Sequence, residues 1–203
     1  MSYEKQYQFN FEDEDGFENK PDKTRMELYD WLQCVVSAII CGIFIFVFLG
    51  RTIGVEGISM MQTLHDSDRV IMSNLFYTPK NGDVIVFQAP SDSFGSPLVK
   101  RVIAVGGDRV EIKAETGDVI VNGQILDEPY INELTISDFD LVEDVPEGYV
   151  FVMGDNRNRS TDSRLDSVGM VDTRYILGRV LFIAIPGSDH NASRDWSRIG
   201  VVR

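Results

Sequence analysis

Three polar features interrupt apolar surroundings in this chain: Ser59 in "VEGISMMQTL", Lys100 in "LVKRVIAV", and the segment "GDNRNRSTDSR" from Gly154 to Arg164. A serine hydroxyl is a weak nucleophile until a neighbouring base takes its proton. Lysine can be that base only as a neutral amine, and at its ordinary pKa of about 10.4 roughly one molecule in a few thousand is neutral near pH 7. Desolvation by an apolar wall lowers that pKa by several units. "LVKRVIAV" supplies such a wall, because it is a strand with apolar residues on both faces, and alternation puts Lys100 on one face with Val102 and Ala104. Each feature also has an ordinary reading: Ser59 as a hydrogen-bonded structural hydroxyl, Lys100 as an edge-strand side chain reaching for water, and the third segment as a solvated loop. In that segment Asp162 and Arg164 stand where they can pair, and Ser160 can donate to a neighbour.

Other chemistries fit these residues less well. His65, beside Asp66, invites a Ser-His-Asp reading with Ser59. That triad needs the imidazole within hydrogen-bond reach of the hydroxyl, and "LHDSD" reads as an exposed turn. His190 lies in a polar C-terminal loop without an obvious partner. "DNRNRSTDSRLD" has carboxylates at both ends in the manner of a calcium loop, yet Arg157, Arg159 and Ser160 occupy the third, fifth and turn-glycine places. With two isolated histidines and no cysteine beyond the first fifty residues, no zinc site, and no cofactor of any kind, is expected.

The elements that must position these residues are legible from pattern. From Trp31 to Gly50 the chain runs uncharged, "WLQCVVSAIICGIFIFVFLG", which as a helix matches a hydrocarbon core roughly 30 Å thick. Residues 31–50 are therefore read as a transmembrane helix that stays as an anchor. Cys34 and Cys41 both lie in it, roughly 10 Å apart along the axis, too far to bridge. Lys20, Lys23 and Arg25 precede the helix and only Arg51 closely follows it, which favours a cytoplasmic N-terminus and an extracytoplasmic domain. Residues 1–30, with acidic runs such as "FEDEDGFENK", read as a disordered cytoplasmic arm. The net charge of −13 argues against a nucleic-acid partner, which would need a clustered basic surface.

Residues 51–203 alternate short apolar runs with turn signals: "DRVIMS", "GDVIVF", "LVKRVIAV", "DRVEIK", "GDVIVNG", "GYVFVMGD" and "GRVLFIAI". Such runs are strands, and short links between them imply a mainly antiparallel sheet or barrel. Asn122-Gly123 marks a two-residue hairpin. "SMMQTLHDSD" can make one helical turn after the first strand, and the acidic stretch 124–148 reads as an exposed connection.

Taken together, "GISMMQTL", "NGDVIVFQAP", "VKRVIAVGGDRVEI" and "MGDNRNRSTDSR" with Gly169, in that order behind an anchor, resemble the boxes of bacterial type I signal peptidases. These are membrane-bound serine endopeptidases that remove signal peptides from exported preproteins. The likeness covers the anchor and almost all of residues 51–203, and is closest to the compact forms common in Gram-positive bacteria. It implies that Ser59 is the nucleophile and Lys100 the general base, that Ser160 hydrogen-bonds and orients the lysine amine, and that Asp162 and Arg164 form a supporting ion pair. It also implies that Ile53, Val55, Leu64 and Val99 line shallow pockets for small side chains, as in an Ala-x-Ala site. The implied partners are preprotein signal peptides and membrane lipid, with the secretion machinery as a candidate. Met60 and Met61 are expected to form an apolar rim against lipid.

The chain departs from the family's pattern in several places. Gln62 stands where the family usually has proline, Ala104 and Gly106 where it has glycine and proline, and Gly57 where some members carry a serine that helps the oxyanion hole. Two alternatives follow. One is a self-cleaving Ser-Lys protease of the repressor type, which would lack the anchor. The other is a catalytically weak, membrane-tethered β module that binds extended peptides.

Overall fold

The computed structural model describes residues 23–49, 51–89, 94–188 and 194–202. The chain divides into two compact units, residues 1–42 and 43–203. His190 and most of the acidic arm lie outside the described residues.

Helix α1 spans Lys23–Leu49, so residues 23–30, expected as part of the arm, are helical. No proline interrupts them, and Met26, Glu27 and Leu28 are strong helix formers. The stretch Met26–Phe44 has a mean hydropathy of 1.4 and is long and apolar enough to cross a membrane.

The rest is mainly antiparallel β, and every run read as a strand is one. One sheet contains β1 (Arg51–Gly54), β2 (Arg69–Ser73), β3 (Val84–Phe87) and β4 (Leu98–Val105). A second contains β5 (Arg109–Ile112), β6 (Val119–Val121), β7 (Gln124–Ile125) and β8 (Leu141–Asp144). The chain then returns to the first sheet through β9 (Tyr149–Met153), β10 (Val171–Asp172), β11 (Ile176–Ile185) and β12 (Gly200–Val201). The larger sheet has the order β1-β2-β11-β3-β4-β9-β10 with β12 beside β11, and the smaller has β7-β6-β5-β8. Asn122 and Gly123 form the β6–β7 turn with φ of 52° and 77°, both in the region such a turn demands.

The position of β4 decides how Lys100 must be read. It lies between β3 and β9, with Lys100 opposite Ile85 and Arg101 opposite Met153. A strand bonded on both edges gives a lysine no route to water along an open rim, so the edge-strand reading fails. Simple alternation also fails beyond Val102. A bulge separates the pairs Val102↔Val152 and Ala104↔Phe151, and it carries Ala104 to the opposite face. Val102 accordingly packs with Ile85 and Val152, whereas Ala104 packs with Phe151 and Val110 of the smaller sheet.

Two further expectations change. Met60 is 1% exposed and packs among Val55, Leu64, Val70 and Val99, so it belongs to the core and not to a lipid-facing rim. Leu64 N donates to Met60 O at 2.8 Å, and this single turn tucks the Met60 side chain inward. Stretch 124–148 is not a simple exposed link. It contains β7 and β8, and Thr135 and Val145 within it are buried.

Candidate active site

Ser59 sits in the turn that follows β1, and β4 carries Lys100 to it. Lys100 Nζ lies 2.6 Å from Ser59 Oγ, across forty-one residues of sequence. Lys100 is only 3% exposed. Burial lowers its pKa from 10.5 to about 8, against the charges of Asp162 and Asp155, which raise it, while Arg164 adds to the lowering. At a pKa of about 8 roughly one molecule in ten holds a neutral amine at pH 7, several hundred times more than for a free lysine.

The segment after β9 wraps around the serine. Asn156 N donates to Ser59 O at 3.0 Å, and Asn156 Nδ2 donates to Ile58 O at 2.9 Å. Gly154 makes this approach feasible: a Cβ there would lie 2.2 Å from Ser160 Oγ and 2.5 Å from Ser59 O. Asp162 accepts from Gly154 N at 3.0 Å and pairs with Arg164 through contacts of 2.8 and 2.9 Å. Arg164 Nη2 in turn donates to Arg157 O at 2.5 Å. Ser160 departs from the implied arrangement. Its hydroxyl is buried, has no hydrogen-bond partner among the described residues, and is held over Gly154 without a bond to the lysine amine.

Of the pocket residues, Val55, Leu64 and Val99 are buried in one cluster against which Ile53 packs. Leu64 has no accessible surface, so it supports the cleft floor from inside the core and does not line it. Ile53 keeps part of its surface open. The His65 ring makes no hydrogen bond to Ser59, and Asp66 is engaged by Gly57 N at 2.7 Å, so no Ser-His-Asp relay forms among the described residues.

Two buried ionic clusters went unread in the sequence. Arg101, next to Lys100, makes a two-pronged pair with Asp155 at 2.8 and 2.7 Å and also donates to Gly82 O at 2.8 Å. Thr63, four residues past Ser59, donates to the same Asp155 at 2.5 Å. These bonds tie the Ser59 turn, β4 and the segment after β9 together. Arg157 pairs with Glu128 through both carboxylate oxygens and donates to Thr135 Oγ1 at 3.1 Å. The Tyr130 ring lies 3.9 Å from the Arg101 guanidinium carbon, near enough for cation–π attraction. The signal for Arg101 was available, since a charge in an apolar strand calls for a partner whether it is lysine or arginine.

The model of the signal peptidase family, peptidase S26, matches residues 28–185. This chain belongs to that family. It is similar to signal peptidase I of Bacillus licheniformis, at 35% identity over 183 residues covering 83% of this chain and 95% of the relative. It is similar too to signal peptidase IB of Staphylococcus aureus strain Mu50, at 33% over 189 residues, 82% of this chain and 95% of the relative. A crystal structure of a signal peptidase I from Enterococcus faecalis shares 33% identity, covering 51% of this chain and 97% of its own, at a TM-score of 0.42.

Membership sharpens the meaning of the departures. Where signal peptidases usually have proline, Gln62 takes a φ of 91°, which a pyrrolidine ring cannot adopt. The turn after Ser59 therefore follows a different path from one that begins on proline. Gly57 has φ of 88°, so a side chain there would be strained and a serine donor is disfavoured.

Proposed function

We propose that this chain is a membrane-anchored endopeptidase that removes N-terminal signal peptides from exported preproteins through a Ser59–Lys100 dyad. The observation that carries the reading is the 2.6 Å contact between the Ser59 hydroxyl and a lysine amine whose pKa burial has brought to about 8. A purely structural lysine would have little reason to be buried as an amine facing a hydroxyl.

In the acylation step neutral Lys100 takes the proton of Ser59 Oγ as that oxygen attacks the scissile carbonyl. The Ser59 backbone N–H, which has no partner among the described residues, is placed to stabilise the oxyanion. The Lys100 ammonium then gives its proton to the departing amine, and water, deprotonated by the same lysine, releases the acyl-enzyme. Asp162, through Gly154 N and Arg164, holds the segment that presses against Ser59. Ser160, whose buried hydroxyl fills the space over Gly154, keeps that space dry beside the dyad. Ile53, with Val55, Leu64 and Val99 behind it, favours small residues before the cut, and the substrate strand adds alongside β1.

The topology we propose has a short cytoplasmic N-terminal arm, one crossing by α1 and the β domain outside. It is supported by the basic residues before the helix. Membrane lipid is then a constant neighbour, and the export machinery that delivers the preprotein is the natural adjoining partner. Cleavage of a purified preprotein with an Ala-x-Ala site, in detergent with lipid, tests the reading. Wild type should cut at that site and Ser59→Ala, Lys100→Ala and Lys100→Arg should not, because a guanidinium stays protonated. Full activity in Ser59→Ala, or binding without turnover by the wild type, would overturn it.

A further inference from the structure

Beside the Ser59–Lys100 pair the β domain holds an open groove of about 440 Å³, lined by Ser160, which shares with Ser59 the contact point at Gly154, and by Arg164, whose charge acts on Lys100. One wall comes from the segment after β9, with Asn158, Ser160, Arg164 and Leu165, and the other from the loop before β8, with Ile136 and Phe139. Ile136 is 73% exposed, Phe139 66% and Leu165 50%. Three large, exposed apolar side chains thus line one groove.

The loop that carries them is fastened in place. Ile136 N donates to Asn158 Oδ1 at 3.0 Å, and Asn158 Nδ2 donates to Leu134 O at 3.1 Å and to Glu133 Oε2 at 3.0 Å. Thr135 between them is buried under Arg157. Ser137 Oγ bonds to Phe139 O at 2.7 Å and fixes the far end. A groove pre-formed in this way loses little ordering entropy when filled.

Chemistry determines which part of a substrate reaches it. The lysine that takes the serine proton must hand it to the leaving amine, so the residues after the scissile bond depart on the Lys100 side of Ser59. The groove adjoins that departure point, because Ser160, which lines it, shares with Ser59 the contact point at Gly154, and Arg164, which also lines it, acts on the Lys100 charge. We propose that this groove binds the first few residues of the mature chain, after the cleavage site, and favours bulky apolar side chains among them. The volume exceeds that of one side chain and suits two or three. The inference rests on the dyad assignment and adds to it a selectivity for the mature side of the junction.

The test uses two peptide substrates, identical through Ala-x-Ala and the residue after the cut. In one the next three residues are Leu-Phe-Leu and in the other Ser-Gly-Ser. The 203-residue protein in detergent should cleave the apolar substrate with a kcat/KM about tenfold higher, the scale that side-chain burial gives in a pocket. In Ile136→Ser/Phe139→Ser, and separately in Leu165→Ser on the opposite wall, that ratio should fall towards one. Equal cleavage by the wild type, or a parallel loss on both substrates with the ratio kept, would overturn the groove and leave the dyad standing. Cleavage of neither substrate would overturn both.

Discussion

Removing the Lys100 amine, the proposed base, should make the protein more stable. Lys100 is buried, and burial brings its pKa to about 8 against 10.5 for a free lysine. At about 1.4 kcal/mol per pKa unit, a shift of that size corresponds to about 3 kcal/mol. The sign follows from proton linkage: the unfolded chain binds this proton more tightly, so the destabilisation is complete below pH 8 and fades as pH rises from 8 to 10.5. Lys100→Met keeps the aliphatic reach and removes the charge. Setting the lost hydrogen bond to Ser59, about 1 kcal/mol, against the shift leaves a gain of about 2 kcal/mol at pH 7. The variant should be inactive. Thermal unfolding of both proteins in one detergent at pH 7 and pH 10.5 measures the effect. The variant should melt at higher temperature at pH 7, and the advantage should vanish by pH 10.5. A variant less stable than the wild type at pH 7, or a difference independent of pH, would refute the desolvation account of Lys100.

Other consequences are equally concrete. Gly154→Ala puts a methyl 2.5 Å from Ser59 O, and the shift of nearly 1 Å needed to clear it should lower kcat about 100-fold, read by single-turnover cleavage. Asp155→Ala leaves Arg101 buried without its carboxylate and should cost about 3 kcal/mol of stability or more; an unchanged melting temperature would count against the tie between the Ser59 turn and β4. Gln62→Gly relieves a side chain held at φ of 91° and should raise stability by about 1 kcal/mol, whereas Gln62→Pro, which restores the family's usual residue, should lower it.

Much of the fold was legible because its information is local. Seven apolar runs bounded by turn residues became strands, and Asn122-Gly123 became a hairpin because its two positive φ angles suit few other pairs. Lys100 stood out because an ammonium is out of place in an apolar strand. What escaped the sequence depends on distant partners or on backbone path. Arg101 finds Asp155 fifty-four residues away and Arg157 finds Glu128 across twenty-nine, so both partners lay in stretches that read as solvated loop. Ala104 changed faces because of a single bulge, which no alternation pattern announces. The single coil after Ser59 was legible, but which side of it is buried was not: Met60 turned inward because the coil packs it among Val55, Leu64, Val70 and Val99.

The central claim is that a lysine amine, and no other group, activates Ser59. The dependence of kcat/KM on pH for preprotein cleavage tests it most directly, since that profile reports the ionisation of the free enzyme. The account predicts a rising limb centred near pH 8, as set by the buried amine of Lys100, with activity falling tenfold per pH unit below it. A limb near pH 6.5, the ordinary range of histidine, or a profile flat from pH 6 to 9, would contradict it.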